Sequence, residues 1–110
     1  MGKYIFTYNA VDVEDNDSQE IRKQIIIFLH HNKATQIKQC LDTTFVFYSS
    51  KTTEQWNQLI LKYLNNRETG LYDSYYLLNR VSKIKQDSYE IKGKCNKHLQ
   101  TFVDDILEGL

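Results

Sequence analysis

Apolar and polar residues alternate along Lys3–Tyr8, KYIFTY, placing Tyr4, Phe6 and Tyr8 on one face and Ile5 and Thr7 on the other. That two-residue period predicts a strand. Asn9 closes it, and a loop carrying Asp12, Glu14, Asp15 and Asp17 follows. Ile21, Ile25, Phe28 and Leu29 then recur at helical spacing up to about Asn32, with Asp17-x-x-Glu20 as a predicted capping box. Next, Ile37, Gln39 and Leu41 share one parity, and Thr44–Tyr48 is rich in β-branched and aromatic residues. Asp42-Thr43 between these runs predicts a tight hairpin turn. Thr52-x-x-Gln55 opens a second helix with Trp56, Leu59, Ile60, Tyr63 and Leu64 on its stripe, fading at Asn65-Asn66. Ser74–Val81 reads as a further strand, and Tyr89–Lys92 as a short one. A third helix follows, with Cys95, Leu99, Phe102, Val103, Ile106 and Leu107 on one stripe.

The order strand, helix, strand, strand, helix, strand predicts an α+β fold, a ferredoxin-like split βαβ (βαββαβ) sandwich with an extra C-terminal helix. The 110 residues fit a single domain, 1–110, with a core over about 3–82 and an extension over about 83–110. Two helices cover one face of such a sheet and leave the other open. Eight aromatic residues, Tyr4, Phe6, Tyr8, Phe45, Phe47, Tyr48, Tyr75 and Tyr76, exceed what one small core readily hides. Either the third helix or a second subunit must then cover the open face, and a symmetric homodimer packed through the sheets is expected.

Composition narrows the function classes. Hydrophobic content of 41% and charged content of 25% suit a soluble globular protein. The longest apolar run, Ile25–Leu29, is far short of a membrane span. The N-terminus lacks the pattern of a signal peptide, so a cytoplasmic location is expected. Cys40 and Cys95 form no CxxC pair, which leaves zinc without support. Net charge is zero, but the halves differ. Residues 1–20 are acidic, whereas Arg80, Lys83, Lys85, Lys92, Lys94 and Lys97 outnumber Asp87 and Glu90. Arg80, Lys83 and Lys85, beside Tyr72, Tyr75 and Tyr76, are the candidate nucleic-acid-binding residues. Packing of the tyrosines under the helices or at a dimer interface is the competing expectation. His30-His31 ends the first helix, where its charge suits the dipole. Neither a Gly-rich phosphate loop nor an HExxH motif is present.

Three segments carry a resemblance. KYIFTYNA resembles the opening strand, LDTTFVFYSSKTTEQWNQLI the third strand and second helix, and DSYYLLNRVSK the fourth strand of the small CRISPR adaptation proteins of the Cas-two type, with their SinR-like and VapD-like relatives. The likeness is one of pattern and order over about residues 3–82. It implies a ferredoxin-like homodimer that binds nucleic acid, in some members as a metal-dependent nuclease whose proposed ligand is the Asp closing the first strand. Here that position is Asn9. Two facing amides lack the anionic charge that Mg²⁺ needs to give up its hydration. The resemblance therefore implies a non-catalytic nucleic-acid-binding or assembly protein with no cofactor. The first alternative is a Mg²⁺-dependent nuclease with Asp12 in place of the missing Asp. The second is a small phage- or plasmid-type protein-interaction or regulatory module. The expected partners are a second copy of the chain, DNA or RNA, or another protein.

Overall fold

The computed structural model describes residues 1–9, 15–65, 75–81 and 97–110. Its elements are β1 (Gly2–Asn9), α1 (Asp15–His31), β2 (Thr35–Leu41), β3 (Thr44–Ser49), α2 (Thr53–Leu64), β4 (Tyr75–Val81) and α3 (Lys97–Glu108). The four strands form one sheet in the order β2-β3-β1-β4, antiparallel at every pairing. This α+β arrangement is consistent with a ferredoxin-like fold. No helix among the described residues is long and apolar enough to cross a membrane.

The alternation in β1 fixes which side of the sheet carries the core. Tyr4, Phe6 and Tyr8 are buried, and cross-strand partners share a face, so Phe47 and Phe45 on β3 join them. The helices add Ile21, Ile25, Ile26 and Leu29 from α1, Trp56, Ile60 and Leu64 from α2, and Val103 from α3. Six of the eight aromatics of the strands, Tyr76 among them, therefore pack beneath the helices. Only Tyr48 and Tyr75 belong to the other face by register. The excess of aromatics expected on that face is much smaller than the sequence suggested.

The third helix is placed by two different kinds of contact, both on the helical side. Val103 enters the core, and the Arg22 guanidinium of α1 stacks over Phe102 at 4.4 Å. Gln100 reaches the free edge of β2. Its Oε1 accepts from the Gln39 backbone N–H at 2.8 Å, and its Nε2 donates to the Ile37 carbonyl at 3.3 Å. One side-chain amide thus stands in for the peptide group of a fifth strand, and it blunts an edge that otherwise invites another chain. α3 does not cover the bare face, since it packs on the helical side with α1 and β2.

Local signals explain most boundaries. Thr52 Oγ1 accepts from Gln55 N–H at 3.1 Å and Gln55 Oε1 accepts from Thr52 N–H at 2.9 Å, the reciprocal box expected at the start of α2. The Asp42-Thr43 turn joins β2 to β3 as expected. α1 instead begins at Asp15, so Asp17 lies inside its first turn rather than capping it. In β2 the shared parity expected of Ile37, Gln39 and Leu41 holds for the first two and fails at Leu41. Ile37 and Gln39 are buried, but Leu41 is 60% exposed, because the register with β3 shifts between Gln39 and Leu41. A second shift lies between Thr35 and Lys38, where Gln36 has φ 50°. The expected strand at 89–92 lies outside the described residues.

α1 ends in a Schellman turn: Ala34 N–H donates to the Leu29 carbonyl at 3.0 Å and Lys33 N–H to that of His30 at 3.1 Å. Lys33 occupies the left-handed position at φ 70°, where a Cβ is strained. Lys33→Gly is therefore expected to stabilise the protein by about 0.5–1 kcal/mol, after the added chain entropy of glycine is set against the relieved strain. An increase in the urea midpoint at unchanged slope would establish it; a decrease would show that the lysine is not strained.

Candidate functional site

Asn9 and Arg80, two of the sequence-derived candidates, do not share a site. Asn9 belongs with Lys3, Ile5 and Thr7 on the face away from the helices and pairs with Tyr75. Arg80 pairs with Tyr4, whose ring faces the helices. The two positions are five residues apart along β1, about 17 Å, and on opposite faces. Arg80 lies at the rim against Gly2, where a Cβ would come within 2.8 Å of its Nε. Asp12, Lys83, Lys85 and Tyr72 lie outside the described residues. The tyrosine doublet is split by the strand period. Tyr76 packs beside Phe6 and its hydroxyl donates to Asn57 Oδ1 at 2.9 Å, while Tyr75 is 73% exposed.

The face away from the helices has a distinct chemistry. Val46 fills its centre opposite Ile5, and Thr7 and Thr44 join their hydroxyls at 3.2 Å. Lys38 stands opposite Val46 on β2. Lys3 holds its ammonium 5.7 Å above the Tyr48 ring, at one end of the face. At the other end, Thr7, Tyr8, Asn9, Tyr75, Tyr76 and Leu77 line a shallow cleft of about 230 Å³. Among the described residues, Tyr75 and Leu77 are the exposed large hydrophobic side chains of the strands together with Leu41, which lies at the start of the hairpin turn. Among the described residues, none of the strand positions on this face is Asp or Glu. Lys38 was not singled out from the sequence, and Tyr48 was named only as one of the eight strand aromatics. The signal for them was the outward parity of each strand, read together with the absence of carboxylates at those positions.

A larger hollow of about 390 Å³ lies on α2, lined by Lys51, Gln55, Gln58, Leu59 and Lys62. Lys51 is already engaged there. Its Nζ donates to the Asn32 carbonyl at 2.7 Å and lies 5.7 Å over the Trp56 ring. That lysine ties the end of α1 to the start of α2.

A polar cluster closes the helical side where β1 ends. Arg22 donates through Nε and Nη2 to Gln39 Oε1, at 3.3 and 3.0 Å, and Gln39 Nε2 donates to the Asp42 carbonyl at 2.8 Å. These bonds satisfy a glutamine that is fully buried. Burial lowers the basicity of Arg22, while Tyr8 and Asp42 favour its charge. Burial likewise pushes Tyr8 up to about 12, against the opposing effect of Arg22. Tyr63 also rises to about 12, through burial and then through Tyr8. Its hydroxyl is buried and finds no hydrogen-bond partner among the described residues. The unfolded chain releases phenolic protons near 10. Between about 10 and 12 it therefore holds fewer protons than the folded chain, and stability falls as pH rises through that window. A tyrosinate absorbance titration is expected to show a late group near 12, reduced in Tyr63→Phe. Ionisation of all tyrosines near 10 in the folded protein would contradict this burial.

Among the described residues no group of three His, Cys, Asp or Glu side chains could hold a metal. His30 and His31 end α1 and are exposed, their rings 6.2 Å apart, as expected of residues beside a helix C-terminus. Asn9 presents a neutral amide opposite Tyr75 on β4. Comparison of the chain with protein-family models, with curated proteins and with solved structures returns no match.

Proposed function

We propose that the chain is a non-catalytic nucleic-acid-binding protein built on a ferredoxin-like domain, in keeping with its resemblance to the Cas-two type and SinR-like proteins. The observation that carries this reading is the bare sheet face, with outward tyrosines and lysines and no carboxylate among its described strand positions. Strand order and antiparallel pairing support the ferredoxin-like assignment. Asn9 supports the absence of hydrolysis, since an amide cannot supply the charge of a metal-binding carboxylate. Fluorescence anisotropy with labelled DNA and RNA tests binding, and gel analysis with Mg²⁺ tests cleavage. Saturable binding without cleavage is expected. Metal-dependent cleavage would overturn the non-catalytic reading, and failure to bind any nucleic acid would overturn the function.

A homodimer packed through the same face is the second reading, favoured by the 60% exposure of Leu77 and 73% exposure of Tyr75. Light scattering across a concentration series separates the two. A stable dimer dispersed by Leu77→Lys would assign the face to a second copy of the chain.

A further inference from the structure

We infer that α3 is a strap over the β2 edge, one that opens and closes as a unit while the sheet stays folded beneath α1 and α2. The inference is independent of the nucleic-acid reading, because no part of α3 lies on the outer face. Its first ground is the chemistry of the helix itself. α1 ends in His30 and His31, and α2 has Glu54 in its first turn and Lys62 in its last, all of which suit the helix dipole. α3 reverses the pattern. Lys97 and His98 stand in its first turn, and Asp105 and Glu108 in its last. A helix of 12 residues is marginal in water even with favourable charges. α3 is therefore helical because it is docked.

The docking is narrow. α3 buries Leu99 and Val103, with Phe102, Ile106 and Leu107 partly covered, whereas α2 buries Trp56, Ile60 and Leu64 and has a closed capping box. The packing partners of α3 are α1 and β2. Its departure uncovers the β2 edge and leaves Tyr4 and Phe47 against Trp56. The second ground is the latch. The Gln100 amide that meets the Gln39 N–H and the Ile37 carbonyl also donates from Nε2 to Asp104 Oδ1 at 3.0 Å, one turn further along α3. An ionised carboxylate only accepts, so Asp104 fixes which way the amide faces, with Nε2 toward Ile37 and Oε1 toward Gln39. Both bonds to β2 thus come from one oriented group of α3 and break when α3 leaves. The bonds from Arg22 to Gln39 Oε1 join α1 to β2 and need no part of α3.

The experiment is native-state hydrogen exchange on the full chain across sub-denaturing urea. Val103 and Ile106 report on α3, Gln39 on the edge, and the amides of β1, which is paired on both sides, on the sheet. Val103, Ile106 and Gln39 are expected to share one opening, with at least about tenfold less protection than β1. Its urea dependence should be weaker than that of β1, because less surface is exposed. Lys97 is exposed, and Lys97→Glu gives the first turn a charge that suits the dipole. That variant is expected to raise the protection of all three reporters together by about two- to fivefold. Gln100→Ala removes both bonds to β2 and is expected to lower all three by at least about fivefold. Equal protection and equal urea slopes for α3 and β1 would overturn the strap, since α3 would then leave only on global unfolding. Loss confined to Gln39 in Gln100→Ala would also overturn it, by showing that edge and helix open separately. Neither result bears on nucleic-acid binding, which the anisotropy assay decides by itself.

Discussion

Trp56→Ala is expected to cost about 3–5 kcal/mol, a large share of the roughly 5–15 kcal/mol available to a domain of this size. Trp56 is wholly buried and packs edge-on against Phe47 at 4.9 Å and Phe28 at 6.3 Å. Its indole N–H donates to Ser49 Oγ at 2.8 Å, and that oxygen also accepts from Lys51 N–H at 3.1 Å. Tyr4 reaches the same turn, its hydroxyl donating to the Lys51 carbonyl at 2.6 Å. The substitution therefore opens a cavity where β3 turns into α2 and removes one bond from a buried hydroxyl. Trp56→Phe keeps most of the ring and loses the bond, so an intermediate cost of about 1–2 kcal/mol is expected. Because Trp56 is the only tryptophan, unfolding must be followed by circular dichroism. A loss under about 1 kcal/mol for Trp56→Ala would mean that α2 is not docked in this way.

The second large effect is expected at Val103. Its side chain is fully buried beneath α3, so Val103→Asp forces a carboxylate into an apolar site and should cost at least about 3 kcal/mol. Val103→Ala removes only apolar contact, and about 2 kcal/mol is expected. The contrast separates a polarity penalty from a packing loss. Hydrogen exchange gives the structural readout. The amide of Gln39, which donates to Gln100, should lose protection in Val103→Asp as α3 lifts from β2. Retained protection at Gln39 would show that α3 docks without Val103.

Strand and helix identities were legible where the period was clean, as in β1 and α2, and the Thr52–Gln55 box marked its helix start to the residue. The start of α1 was less legible because several acidic and polar residues precede it, each a plausible cap. The parity of β2 held for Ile37 and Gln39, which are both buried, and failed at Leu41, which is apolar yet exposed. The register shift between Gln39 and Leu41 explains that departure, and the bonds to Arg22 and Asp42 explain how a polar Gln39 is buried. The stripe on α3 revealed which residues turn inward but not which layer they join, because its partners lie far away in sequence. The same limit applied to the candidate site. Asn9, Tyr75 and Arg80 each had a known parity within a strand, but the offset between strands decides which of them share a face. Pairing of Asn9 with Tyr75, and of Arg80 with Tyr4, separates the acidic-loop end of β1 from the arginine.

The Gln100 clasp on β2 also bears on the order in which the chain folds. The two groups it joins are 61 and 63 residues apart, whereas the β2–β3 hairpin closes over a two-residue turn. Long closures form late, after local pairing has reduced their entropic cost. The hairpin is thus expected to exist for a time with its outer edge unsealed, and that interval is when another chain can add to it. A faster docking of α3 shortens the exposure without changing the final structure. Aggregation during refolding should therefore track the rate at which Gln100 arrives, rather than the stability finally reached.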